Sequence, residues 1–499
     1  MKRTLLLFFA ASAVVLGACA GMSGVGPSGA VILPERGDPS VEIVVLAADD
    51  LGVIESRVMA NGMLAVPVDG RRFVAWNDEP IQVSVSAEGF KPFDYTIADY
   101  PDGGAVQFRL DPVVLQGRIT TQDGRPLPGA LVELGDVSDR TDNEGRYALD
   151  RATPGTMMLS RPAWQTKQIE WDGGFDALDI AMEQLEINAM RVSARDVSDV
   201  STWERILDLA DSTAINALVV DLKAEDGTVV YRSELPVAAA IGAVNSFFDA
   251  EDVIADAQAR DLYLIGRIGV FQDSFYAVAE PDHAVRTSSG ELWRSGNGYA
   301  WLDPSDPAAY EYSIALAEEV CSLGFDEIQF DYVSWPIGNL DDAVFDGEYN
   351  EEIRVAGVTA FLNRAYSVLH PRCAVSATLF GIVLESPPAK DSDAGVGQLP
   401  SAMSRAVDVL SPTLYTTNYR DGWKGMDDPD DYAVEVVITA LAGGTPKLDG
   451  FAYFRPWLQT WAISEADQRA VQSAVTDEGM GWLLWSNDAS YTTAILPPR

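Results

Sequence analysis

The sequence predicts a multidomain chain in which two small all-β sandwich modules precede an α/β TIM (β/α)8 barrel, and three observations carry that prediction. The chain has 499 residues, more than one hydrophobic core usually organises. Short β-favouring runs broken by Gly, Asp, Asn and Pro fill residues 41–186 at strand spacing. From residue 187 onward, β-rich runs alternate with helical patterns, as in a parallel sheet wound with helices.

The chain starts Met1-Lys2-Arg3 and continues with an apolar run from Thr4 to Leu16. A charged start and a short apolar run predict a secretory signal over residues 1–18, too short to span a bilayer. The run ends Leu16-Gly17-Ala18-Cys19, which resembles the bacterial lipobox. That resemblance implies cleavage before Cys19 and its acylation, so the expected partner of the N-terminus is a membrane, held through a lipid anchor. The alternative is Cys19 as an incidental small residue near a cleavage site. Ala20 stands where an Asp would mark inner-membrane retention, so the expected location is the cell envelope, at the outer membrane. Residues 19–40 are rich in Gly, Ser and Pro and read as a tether.

A hydrophobic content of 47% with 22% charged residues describes globular protein, not disorder. The net charge of −40 is spread along the chain and would repel nucleic acid, which is excluded as a partner. A solvated acidic surface explains that charge; attraction of a cationic substrate is the other reading. Beyond Cys19 the cysteines are Cys321 and Cys373. An oxidising compartment permits a bridge between them, and two buried free thiols are the alternative.

Residues 41–112 carry VEIVVLAA, IQVSVSAEGF and AVQFRL and form the first β module. Residues 113–186 carry GRITTQDGRPLPGALVEL and RTDNEGRYAL, where Asp123-Gly124 and Asn143-Glu144-Gly145 supply turns. This second module resembles the carboxypeptidase regulatory-like sandwich, matching Gly117, Gly124, Pro126, Gly129-Ala130, Thr141, Asp142 and Gly145 in order. The resemblance implies a spacer with a capacity for carbohydrate.

Residues 187–499 supply eight strand candidates, starting at Asn188, Ile215, Leu262, Asp326, Ala374, Asp408, Gly450 and Gly481. Amphipathic stretches such as TWERILDLADST and EIRVAGVTAFLNRAYSVL lie between them. Eight such units describe a closed barrel, whose active site is expected at the C-terminal ends of the strands. Alternation along DEIQFDY sends Ile328 and Phe330 outward and Glu327, Gln329 and Asp331 into the lumen. The same parity points Asp221 and Lys223 inward, with Arg191, Arg267 and Arg455 from other strands. These charges read either as substrate contacts or as a buried ion-pair network. Asp331, last on its strand, is the leading candidate for catalysis.

Aromatics gather at strand ends: Trp301, Trp335, Tyr415, Tyr419, Trp457 and Trp485. With carboxylates at one rim they suit a sugar-stacking cleft, although a lone aromatic is more often core. His283 and His370 are the only histidines and no cysteine pair has zinc spacing, so no metal or other cofactor is expected. No GxSxG elbow, Walker loop or dinucleotide fingerprint follows a strand. Carboxylate chemistry remains.

The blocks DLKAEDGTVVYRSELPVAAAIGA, YLIGRIGVFQD, GFDEIQFDYVSWP, DVLSPTLYTTNY, FRPWLQTW and GWLLWSND resemble those of the putative glycoside hydrolase family of bacterial (β/α)8 barrels. The resemblance implies glycosidase chemistry with Asp331 as the fourth-strand nucleophile. The chain departs from the family pattern at Ser334-Trp335, at Thr378 where an Asp is usual, and at Thr413, Thr417 and Asn418. Glycosidases use two carboxyl groups, and the second candidates are Asp226, which follows the second strand, and Glu385, which follows the fifth. Asp273 and Asp488 stand behind them. Arg267, Glu327, Trp335, Tyr415, Arg455, Trp457 and Trp485 are the expected substrate-binding residues. The rival reading is a non-catalytic glycan-binding or envelope-scaffolding lipoprotein with a degenerate barrel; lyase or transglycosylase chemistry in the same cleft is a third.

Overall fold

The structure is a computed structural model that describes residues 40–50, 52–68, 71–77, 79–387 and 391–499. The expected signal, most of the expected tether and Cys19, the expected lipidation site, therefore lie outside the described residues. The chain divides into two compact units, before and after Val113/Val114.

In the first unit two four-stranded sheets enclose one core. The strand Ser40–Ala47 shows why: Val41, Ile43, Val45 and Ala47 alternate inward, so one face of the strand is apolar and must be covered. This strand pairs in parallel with Ala105–Leu110 and antiparallel with Arg71–Ala75.

The second unit begins with two further small sheets, one of four strands and one of three, over residues 114–181. Gly117 is fixed by close approach, because a Cβ there would sit 1.8 Å from the Leu178 carbonyl oxygen. These sheets pack on the N-terminal end of a barrel. The Arg161 guanidinium, fully buried, donates to Asp408 at 2.6 Å and to the Tyr366 hydroxyl at 2.8 Å. The Tyr453 hydroxyl donates back to the Ala163 carbonyl at 2.9 Å.

Eight parallel strands close the barrel: β1 (Asn188–Val192), β2 (Ala217–Lys223), β3 (Tyr263–Gly269), β4 (Glu327–Asp331), β5 (Ala374–Phe380), β6 (Val409–Thr413), β7 and β8 (Trp482–Trp485). The seventh, β7, is two short pieces, Tyr453–Phe454 and Trp457–Gln459. Closure comes from β1 pairing with both β2 and β8. The eight predicted strands are all present. Helices cover the outside, among them Val200–Ser212, Ala308–Leu323, Glu351–Leu369 and Glu465–Asp477. Two helices are capped by side chains: Asp199 accepts from the Thr202 N–H and Asn350 from the Ile353 N–H. Between β5 and β6 the helix shrinks to Pro400–Met403, since Gly395 and Gly397 at positive φ interrupt any longer one.

Two local features position the site. First, β2 continues past its end into Val229–Tyr231, which pairs with Val244–Phe248 and widens the sheet on that side. Second, the register of β2 against β3 shifts between Asp221 and Lys223. That irregularity corrects the expected inward Lys223. A one-residue slip exchanges faces, and the Lys223 Nζ leaves the lumen for Asp273 (2.7 Å), the Gly269 carbonyl (2.8 Å) and the Ser313 hydroxyl (3.1 Å). Cys321 and Cys373 are disulfide-bonded, which resolves the two alternatives left by the sequence. Among the described residues no helix is long and apolar enough to cross a membrane.

Candidate functional site

The inward residues of β4 stack through the lumen in three layers. At the base Glu327, fully buried, accepts from the Arg455 guanidinium, the Ser376 hydroxyl and the Tyr263 hydroxyl. In the middle the Gln329 amide donates to Ser411 Oγ and accepts from the Trp457 indole N–H, both at 3.1 Å. At the mouth stands Asp331, partly open to solvent. Only this top layer can meet a ligand, because the lower two are filled by buried side chains paired with one another.

At the mouth Asp331 Oδ2 accepts from Arg267 Nε at 2.7 Å and lies 2.5 Å from Arg267 Nη2. Its Oδ1 accepts from the Tyr332 N–H at 2.8 Å. Tyr332 holds φ of 52°, a left-handed conformation unusual for a bulky residue. Arg267 continues to Asp221 at 3.0 Å, and Asp221 is also paired with Arg191. Burial works against ionisation of Asp221, but Arg191 and Arg267 outweigh it and hold the carboxyl below its usual range. Burial likewise opposes the charge on Arg267, yet Asp331 and Asp221 keep its affinity for the proton raised. The result is a fixed alternation of charge, Asp331, Arg267, Asp221, Arg191, along one side of the mouth.

A second carboxylate reaches the same guanidinium. Glu225, in the turn after β2, has Oε1 3.8 Å from Arg267 Nη2 and is substantially exposed. Burial, then Asp331 and Glu225, push the Tyr332 phenol up, so both carboxylates bear on that ring. Tyr415 is governed by burial and then by Asp331, and its ring meets Trp461 edge-on at 5.1 Å. Trp485 lies under the Arg191 and Arg267 guanidiniums at 4.0 and 4.7 Å, a cation–π arrangement that orders both cations. Among the described residues no group of three or more His, Cys, Asp or Glu could hold a metal.

A profile for a family described as "Putative glycosyl hydrolase domain" matches residues 189–491, which is nearly all of this barrel. The chain belongs to that family. Its barrel is thus a glycosidase-type domain. Among solved structures it is similar to a hypothetical protein from Ruminiclostridium thermocellum, with 33% identity over 38% of this chain and 96% of that one, at a TM-score of 0.35. It is also similar to an α-galactosidase from Thermus thermophilus (12% identity, 88% of this chain and 90% of that one, TM-score 0.40). A maltogenic α-amylase from Thermotoga neapolitana is a third (13% identity, 63% and 69%, TM-score 0.39). No curated protein matches the chain.

Within this glycosyl hydrolase barrel the residues expected from sequence fall into three groups. Asp331, Arg267, Tyr415 and Trp485 meet at the mouth. Glu327, Arg455 and Trp457 do not reach a substrate, and their expected binding role is corrected: all three are buried in the lower layers, where each is spent on a partner described above. Trp335 is corrected too. It is fully buried outside the lumen, donates its indole N–H to the Arg354 carbonyl at 2.9 Å, and packs on Phe345 and Tyr349.

Of the expected acids, Asp226, Asp273 and Asp488 are otherwise engaged. Asp226 Oδ1 accepts from the Thr228 N–H at 2.9 Å, closing the hairpin turn. Gly227 makes the turn possible, at φ +94 with Asp273 where a Cβ would be. Glu385 is exposed after β5, and its charge bears on the buried Tyr419, whose phenol burial pushes up. Asp273 is the buried partner of Lys223, and Asp488 accepts from the Ser486 hydroxyl. Sequence reasoning missed Glu225 and Trp461. Glu225 was visible as the neighbour of Asp226 in AEDG, and the missing signal was which of the two the turn consumes.

Proposed function

We propose that the protein is a retaining glycoside hydrolase acting on a poly- or oligosaccharide, with Asp331 as nucleophile and Glu225 as acid/base. The observation that carries this reading is the guanidinium of Arg267 shared by the two carboxylates. Both carboxylates reach the same Nη2, at 3.8 and 2.5 Å, so their nearest oxygens lie within about 6.3 Å of each other, a limit that accommodates the roughly 5–5.5 Å separation of retaining enzymes. Asp226 and Glu385, the acids expected from sequence, give way to Glu225 because the turn engages Asp226 and because Glu225 reaches Arg267 beside Asp331, whereas the charge of Glu385 bears on Tyr419.

In this mechanism Glu225 protonates the glycosidic oxygen as the C1–O bond breaks, and Asp331 forms a bond to C1. Water then attacks C1, gives its proton to Glu225, and the bond to Asp331 is released with both carboxyl groups restored. Arg267 fixes the attacking oxygen, the Tyr332 N–H fixes the other, and Tyr415 with Trp461 offers an aromatic wall to the sugar. The secretory signal and Cys19 support a lipid-anchored location in the cell envelope, with the outer membrane as the proposed site.

A second reading, glycan binding without cleavage, is favoured by Thr378. It sits buried where family members tend to carry an Asp, and its Oγ1 has no hydrogen-bond partner among the described residues. Digestion of a glycan panel by wild type, Asp331→Asn and Glu225→Gln, read by product mass, separates the two. Cleavage by wild type alone supports the hydrolase; binding without cleavage by any of the three supports the second reading.

A further inference from the structure

A cleft of about 310 Å³ opens beside the mouth. Arg191 and Asp221, two members of the charge alternation, line it. Its outer wall comes from the added strand Val244–Phe248, through Asn245 and Phe247. No step of the mechanism above uses that strand. Phe247 nevertheless leaves 37% of its surface in solvent and lines the cleft.

The position of the acid tells what the cleft is for. Ala224 and Asp226, the residues on either side of Glu225, both line it, so Glu225 stands at the border between Asp331 and the cleft. An acid that protonates the bridging oxygen has the departing sugar on its own side. We propose that this cleft is the leaving-group subsite, that it takes a mono- or disaccharide unit, and that Phe247 is its stacking residue. The proposal rests on the assignment of Asp331 and Glu225 made above.

The chemistry of the lining fits a sugar. An exposed aromatic ring packs against the apolar C–H face of a pyranose, while the Asn245 amide and the Thr228 hydroxyl can bond to its hydroxyls. The volume lies at the lower end of the roughly 300–1,000 Å³ of ligand clefts, which limits the occupant to a short unit. One consequence separates this cleft from the rest of the site. After the first bond breaks, a sugar held there competes with water for the glycosyl group on Asp331: its hydroxyl gives its proton to Glu225, its oxygen bonds to C1, and the bond to Asp331 is released.

The test uses the full-length protein with 2,4-dinitrophenyl hexosides as donors, and maltose and cellobiose as acceptors. Dinitrophenolate leaves without a sugar in the cleft, so the kcat/KM of its release, which counts only the steps through bond cleavage, reads the first step. Phe247→Ala is expected to keep that release within twofold of wild type and to lower the ratio of transfer to hydrolysis on the order of tenfold. Phe247→Tyr is expected to keep both. An unchanged transfer ratio in Phe247→Ala, or a parallel fall in dinitrophenolate release, overturns the proposal while leaving the hydrolase in place. Dinitrophenolate release that survives in Asp331→Asn overturns instead the reading on which the proposal rests.

Discussion

Replacing Arg161 by Met should separate the second β module from the barrel energetically, and the size of the effect follows from what the guanidinium touches. Arg161 is completely buried. It donates to Asp408 at 2.6 Å, to Tyr366 at 2.8 Å and to the Pro128 carbonyl at 2.8 Å, and it lies 4.6 Å from the centre of the Phe451 ring. Methionine keeps much of the packing but strands the Asp408 carboxylate, and breaking a buried pair by removing one partner costs about 3–5 kcal/mol. Burial pushes the Asp408 carboxyl up to about 6, with Arg161 opposing; without Arg161 it must rise further. A carboxyl with a raised folded-state value favours the folded protein at low pH and loses that contribution as pH rises through the folded value. The penalty in Arg161→Met is therefore largest near pH 8 and shrinks toward pH 5, where the stranded carboxyl takes up a proton. Urea unfolding of the full-length protein at both pH values, beside Arg161→Met/Asp408→Asn, measures it. The double variant should recover most of the loss. A loss under about 1 kcal/mol at pH 8, or one that grows on acidification, would refute the reasoning.

Three further outcomes are expected. Burial, with Arg161 and Arg140, pushes the His370 imidazole down to about 3, so the unfolded chain takes up a proton below about 6.5 that the folded one refuses. Stability from this group is lost as pH falls, about 2 kcal/mol by pH 5; because Asp408 works in the opposite direction, the term is read as the difference between wild type and His370→Gln in urea. Tyr332→Gly relieves the positive φ, about 1–3 kcal/mol, but removes a ring packed edge-on against Trp301, a loss of about 3 kcal/mol or more, so stability in urea should fall by about 1 kcal/mol while kcat falls on any cleaved substrate; unchanged kcat would show that the ring plays no part. Cys321→Ser/Cys373→Ser removes a cross-link between residues 52 apart in sequence and should destabilise by about 2–4 kcal/mol, measured by thermal unfolding against wild type, with equal midpoints counting against it.

The sequence made the barrel legible because strand alternation and helical amphipathicity are local signals. Inward parity along β4 located Glu327, Gln329 and Asp331, and parity on β3 located Arg267. Parity failed at Lys223, where a register irregularity next to Asp221 turned the side chain out; only the partner strand reveals it. Depth was legible only in part, since Asp331 led as the last residue of its strand while Glu327 still stood among the expected substrate-binding residues. Asp331 and Glu327 have the same alternation, yet one ends its strand and the other begins it, and the closed lumen admits a ligand only at the first. Trp335 and Trp457 carried the composition of a binding rim but are enclosed by neighbours distant in sequence, Arg354 and Gln329. The proposed acid stands one residue from the one expected. In the AEDG turn either carboxylate could close the hairpin, and the backbone N–H of Thr228 selects Asp226, so that Glu225 turns to Arg267 and the Tyr332 phenol.

The most direct test of the account is the anomeric configuration of the first product, followed by ¹H NMR from the moment enzyme is added to a cleaved glycoside. Two carboxylates held on one guanidinium predict that the initial product keeps the configuration of the substrate, with the other anomer appearing only by mutarotation, and that Asp331→Asn forms none. An initial product of opposite configuration would mean that water attacks directly, and would contradict the pairing of Asp331 with Glu225.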